Sequence, residues 1–263
     1  MDLEEELKIT NTLGLLNFYA GNLNQAEYYL KEVVNRGEGA IRDLALANLG
    51  VLERRKGNLK AAYEIYKGLI EKSTDRRVLF VALRNILELY GDSSKFGAKL
   101  DLEEVVEYFN KGIKIFREVK DRNGEFGLRY NIAVILANTG NYHDAIKQIN
   151  EMVKITNDIN RNEYADAMSL LGYVYLRMGD YQKSIKSYEE ALRSFDLRYK
   201  NFKERYYMMK VFYASALEKY GKIDEAKLIV DEIKMKIGQL ELRPEVEKVL
   251  KDTIEEAKVY IHG

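Results

Sequence analysis

The chain has 263 residues, 46% hydrophobic and 32% charged, with Lys+Arg and Asp+Glu equal at 42 each. That length buries a sizeable core in one elongated or two compact domains, and zero net charge leaves no field to collect nucleic acid or an anionic membrane. The absence of cysteine excludes disulfides, thiolate metal sites and a cysteine nucleophile.

The opening MDLEEELKIT is acidic and lacks an apolar signal core. No run reaches the roughly 18 apolar residues that a bilayer-spanning helix needs. A cytoplasmic protein is the expectation. One Pro, no Trp and 20 Tyr, set among many charges, point to long, ion-paired helices. The few glutamines and the lack of cysteine lean toward a thermophilic protein, whereas the asparagines lean the other way.

Taken in chain order, the sequence predicts helical hairpins over 7–34 and 43–70, a longer one over 78–116, and three more over 126–153, 165–192 and 207–234. Five of them turn on a glycine: Gly21, Gly57, Gly140, Gly179 and Gly221. Such a glycine ends one helix in the left-handed conformation, and the Asn or Asp after it in four of the five can cap the next. Seven residues before each turn glycine stands a small residue: Gly14, Gly50, Ala133, Gly172 and Ala214. Five residues after it stands another: Ala26, Ala62, Ala145, Ser184 and Ala226. Mid-helix glycine costs about 1 kcal/mol against alanine, so its recurrence implies close helix packing. The third hairpin carries an insertion at 91–99 in place of the tight turn, a candidate recognition loop or a tolerated extension. Pro244 opens a predicted capping helix over 244–261.

The spacing in Ala165–Leu192, with Leu171-Gly172, Tyr175, Gly179-Asp180-Tyr181, Ser184, Tyr188 and Ala191-Leu192, resembles the tetratricopeptide repeat. The turn glycines are more than 34 residues apart, so these repeats are longer than the family standard. The family's usual Trp and closing Pro are missing. The stretch Asp121–Ala133 is similar to repeats of G-protein-signalling modulators and of bacterial regulators. The resemblance implies an all-α fold: a right-handed α-solenoid of about six hairpins plus a cap, spanning 1–263 as one superhelical domain. It also implies that the first helix of each hairpin lines a concave groove.

No catalytic constellation is present. His143 and His262 are isolated, no glycine-rich loop follows a strand, and the carboxylates sit at spacings suited to solvated ion pairs. The expectation is a non-enzymatic chain with no cofactor and no metal.

The groove position before the Leu-Gly pair holds Asn48, Asn85 and Asn131 in three consecutive hairpins, with Thr12, Leu170 and Phe212 in the first, fifth and sixth. An amide donates and accepts at once, so such a ladder can grip an extended peptide backbone. The resemblance implies the same use. The alternative is that these amides bond neighbouring helices or water. Arg54, Arg55, Arg84, Tyr130 and Asn138 flank the ladder. The arginines would attract an acidic segment or a free C-terminus, unless Glu53 or Glu88 pairs with them. The family's carboxylate clamp is absent: Asn11, Leu15, Asn48, Val81 and Asn85 match it once in five positions.

Tyr173, Leu176, Met208, Val211 and Phe212 form an apolar stretch, either core or a seat for a partner's side chains. The leading reading is a protein-interaction scaffold that binds a peptide in its groove. The others are an assembly subunit that self-associates through its ends and, less supported, an RNA-binding repeat.

Overall fold

The structure, a computed structural model, describes residues 2–91, 101–156, 161–195 and 200–237, together with 247, 248, 250–252 and 254. Among these residues there are twelve α-helices and no strand. They pair as hairpins: α1 (Leu3–Tyr19) with α2 (Leu23–Arg36), α3 (Gly39–Arg55) with α4 (Leu59–Lys72), and α5 (Arg76–Gly91) with α6 (Leu102–Glu118). Then come α7 (Arg122–Asn138) with α8 (Tyr142–Thr156), α9 (Arg161–Met178) with α10 (Tyr181–Ser194), and α11 (Lys200–Tyr220) with α12 (Ile223–Ile237). Most of the expected insertion and capping helix lies outside the described residues.

Where the sequence suggests one continuous array, the chain divides into two compact units, Met1–Ile135 and Leu136–Gly263, with the boundary inside α7. In the first unit each helix from α1 to α5 packs on the next, and so does each from α8 to α11 in the second. Alternate odd-numbered helices also approach backbone to backbone: α1 with α3 and α3 with α5 in the first unit, α9 with α11 in the second. The even-numbered α4 and α6 meet through long side chains: Tyr63 OH and Lys67 Nζ donate to Glu104, and Lys111 Nζ donates to the Ile70 carbonyl. The odd-numbered helices are the more closely spaced layer of each unit, and so its inner one.

The five turn glycines all have positive φ, between 81° and 97°. The residue after each bonds back across the turn, as Asn58 N–H does to Glu53 O (2.8 Å). Side-chain capping by the following residue is seen at Asp180, whose carboxylate accepts from Lys183 N–H. Asn22 and Asn58 instead turn back to the preceding helix, donating to Asn17 Oδ1 and Glu53 Oε2.

The mid-helix glycines have one physical reason. A Cβ on Gly50 would lie 2.5 Å from the buried ring of Tyr66, and one on Gly14 would lie 2.8 Å from Leu30. In the second unit the ring of Tyr188 lies against Gly172 in the same way, and Ser184 Oγ donates to the Gly172 carbonyl at 2.8 Å. The helices of a hairpin thus meet backbone to ring, and the small residue of the second helix completes the contact.

Gly50→Ala is expected to destabilise the protein by about 1–3 kcal/mol despite the gain in helix propensity, because Tyr66 has no room to move. Gly68→Ala in α4, where an added methyl meets nothing within 4 Å, is expected to stabilise it by up to about 1 kcal/mol. Urea denaturation of the two variants checks this opposition of sign.

Candidate functional site

The inner layer of the first unit carries part of the expected ladder. Asn48 Nδ2 on α3 donates to Asn11 Oδ1 on α1 at 3.1 Å, which joins adjacent odd-numbered helices. Asn11 is buried and Asn48 half-buried. The first rung is therefore Asn11 rather than Thr12, whose hydroxyl bonds the Lys8 carbonyl of its own helix.

Asn85 does not belong to an open ladder. It is 1% exposed, and its Nδ2 donates to Val81 O at 2.7 Å. Helix α5 is apolar on most sides, with Val78, Leu79, Ala82, Leu83, Ile86, Leu87 and Leu89 all buried. An amide inside it spends its donor on the nearest backbone carbonyl. Asn131 on α7 is half-buried and has no hydrogen-bond partner among the described residues.

The arginines on this side are partly neutralised. Glu88 accepts Arg54 at 2.6 Å and faces Arg84 Nε at 3.6 Å, and the Arg84 guanidinium lies over the Phe80 ring. One carboxylate shared by two guanidinium groups cancels one of their charges and leaves the other. Arg55 is exposed at the end of α3, and Tyr130 is exposed on α7.

The second unit brings Asn138 and Tyr173 together with Arg177, which the sequence pattern does not single out. Tyr173 OH on α9 donates to Asn138 Oδ1 at 2.7 Å and accepts from Arg177 Nη1 at 3.3 Å. Arg177 also bonds the Tyr142 hydroxyl, and it has no carboxylate partner among the described residues. Asn138 is exposed, with its amide N–H groups uncommitted among these residues. The Tyr173 ring meets Phe212 of α11 edge to face, with centroids 5.9 Å apart. Phe212, Leu176 and Met208 are partly buried against the core, and Val211 lies within it. The sequence points to Asn138 and, in the apolar stretch, to Tyr173 and Phe212, but not to Arg177, which falls outside the repeat position that carries Asn48.

A second feature lies nearer the start of α9. Asp166 pairs with Arg205 of α11, yet burial outweighs that attraction and pushes its carboxyl up to about 6. Burial also raises the neighbouring Glu163, whose Oε2 has no hydrogen-bond partner. Among the described residues no group of His, Asp or Glu side chains is arranged to hold a metal, and no helix is long and apolar enough to cross a membrane.

The tetratricopeptide repeat family matches residues 124–196. That stretch of the chain carries the tetratricopeptide repeat pattern. It is 32% identical to a TPR repeat-containing protein of Synechococcus elongatus over 102 residues, 38% of this chain and 25% of that protein. The match thus spans about a quarter of that relative's length. A signal-transduction ATPase of Pyrococcus horikoshii with a tetratricopeptide repeat sensor is similar at a TM-score of 0.74 and 17% identity, over 97% of this chain and 40% of the other. NprR, solved in complex with its cognate peptide NprX, is similar at a TM-score of 0.66 and 16% identity, over 100% of this chain and 76% of that one. Likenesses at these identities show the fold.

Because the fold raises the Asp166 carboxyl above its ordinary value, the folded chain holds this proton more tightly than the unfolded chain does. The Asp166 contribution to stability is therefore lost as pH rises from about 4 to about 6. Thermal melts across that window should show a steeper decline for the wild type than for Asp166→Asn.

Proposed function

We propose that the inner layer of odd-numbered helices binds a peptide segment of a protein partner without catalysis. The observation that carries this reading is the Asn138–Tyr173–Arg177 cluster. Its hydrogen bonds fix the side chains in place while leaving the Asn138 amide donors and the Arg177 guanidinium uncommitted to any carboxylate. An amide held from behind is preorganised to donate to a peptide carbonyl. A guanidinium held by two phenols keeps its full charge for a carboxylate, from an acidic residue or a free C-terminus. The half-buried Phe212 beside it offers an apolar seat.

In the first unit the Asn11–Asn48 pair serves the same backbone-holding role, with Asn131, Arg55 and Tyr130 exposed or half-buried on α3 and α7. Asn85 and Arg84 fall out of the binding set, since the first is buried and the second is paired. The similarity to NprR, which was solved with a peptide, supports a peptide ligand in general terms.

Selection of a random peptide library against the full chain tests the reading. The expected outcome is enrichment of peptides bearing a carboxylate. Arg177→Gln and Asn138→Ala should each weaken their binding by about 10-fold or more, with unchanged circular dichroism and melting temperature. Asn85→Ala should leave binding unaffected. A library that yields no binders, or binding indifferent to Arg177 and Asn138, would contradict it.

A further inference from the structure

The first two hairpins share one register, offset by 36 residues: Gly14 with Gly50, Gly21 with Gly57, Leu23 with Leu59, Ala26 with Ala62, and Leu30 with Tyr66. That offset shows what each face of a first helix is made to meet. On α3, the stripe Ala45, Leu49 and Leu52 is buried at 0%, 6% and 0% exposure. It lies in the clusters that α2 contributes to through Ala26, Leu30 and Val33. The same register on α1 gives Ile9, Leu13 and Leu16, which are 51%, 38% and 59% exposed. These three are the counterparts of a buried stripe, and among the described residues no helix covers them. A row of apolar side chains in a position that is core one repeat later is an unfilled interface.

The C-terminal side differs. Leu250 and Ile254 are fully buried in the same core cluster as Val230 and Ile233 of α12. The last described hairpin is thus covered, and its forward face is not free to receive α1 of another copy. Head-to-tail stacking has no acceptor there. A second α1 remains as the occupant that the chain itself supplies.

The spacing fits that occupant. The helix that covers the stripe in the internal template, α2, presents Ala26, Leu30 and Val33, at steps of four and three residues. Helix α1 presents Ile9, Leu13 and Leu16 at the same steps. Helix α2 runs antiparallel to α3, and two copies of α1 related by a two-fold axis perpendicular to them are antiparallel as well. With Leu13 at the axis, Ile9 falls against Leu16 of the second copy. Nothing charged interrupts the stripe, because Glu6 at its end pairs with Arg36 on the adjoining helix.

We propose that two copies of this chain associate head to head, α1 against α1, through Ile9, Leu13 and Leu16. The interface is distinct from the inner layer, so a dimer carries two peptide-binding faces.

Sedimentation equilibrium over a range of concentrations tests this. The wild type is expected to shift from one chain to two, and Leu13→Glu and Leu16→Lys should each raise the dissociation constant by at least about 100-fold with unchanged melting temperature. The chain has no cysteine, so a single introduced one reports contact directly. Leu13→Cys is expected to form a disulfide-linked dimer on mild oxidation, and Leu228→Cys, exposed on α12, is not. A wild type that stays monomeric, a dimer that survives both substitutions, or cross-linking through Leu228→Cys in preference to Leu13→Cys would each overturn the proposal.

Discussion

The close approach of a glycine backbone to a large side chain governs this fold. Gly14 receives Leu30, Gly50 receives Tyr66 and Gly172 receives Tyr188, each 16 residues further on. Gly112 receives Leu128 at the same separation, although there the contact joins α6 to the following α7. With no Cβ in the way, the two helices approach more closely than side-chain packing alone allows. The cost of a mid-helix glycine is offset by burying an entire ring or leucine. Tyr66 shows how strongly packing dominates: its hydroxyl is buried with no hydrogen-bond partner, and burial pushes its pKa up. The ring's packing bears the cost of an unsatisfied oxygen.

That constraint also places the functional surface. Drawing the two helices of each hairpin together leaves the odd-numbered helices as the inner layer. The residues on that layer are then decided by helix phase. Asn11 and Asn48 bond across two such helices, as do Asn138 and Tyr173. The two units use different chemistry: paired amides and a shared Glu88 in the first, phenols and an uncompensated Arg177 in the second.

The hairpins were legible in the sequence because turn glycines and small residues repeat at fixed offsets, and both have local physical causes. The side-chain outcomes were less so. Asn85 occupies the expected repeat position, but α5 is wrapped by apolar neighbours and its amide folds back on Val81. Asn22 and Asn58 look like helix caps, yet their amides reach backward to Asn17 and Glu53. Arg84 shares Glu88 with Arg54, which holds it at 2.6 Å and leaves Arg84 Nε at 3.6 Å. Position within a repeat fixes which helix a residue sits on. Which partner it meets depends on the neighbouring helix, and a repeat pattern does not contain that.

The inner-layer assignment is the claim on which the rest turns, and distances between spin labels measure it directly in this cysteine-free chain. Labels at Thr12 and Asn48 report α1 to α3, and labels at Tyr28 and Glu64 report α2 to α4 at the same repeat offset. The account predicts the shorter distance for the first pair. Equal distances, or a shorter one between α2 and α4, would contradict it.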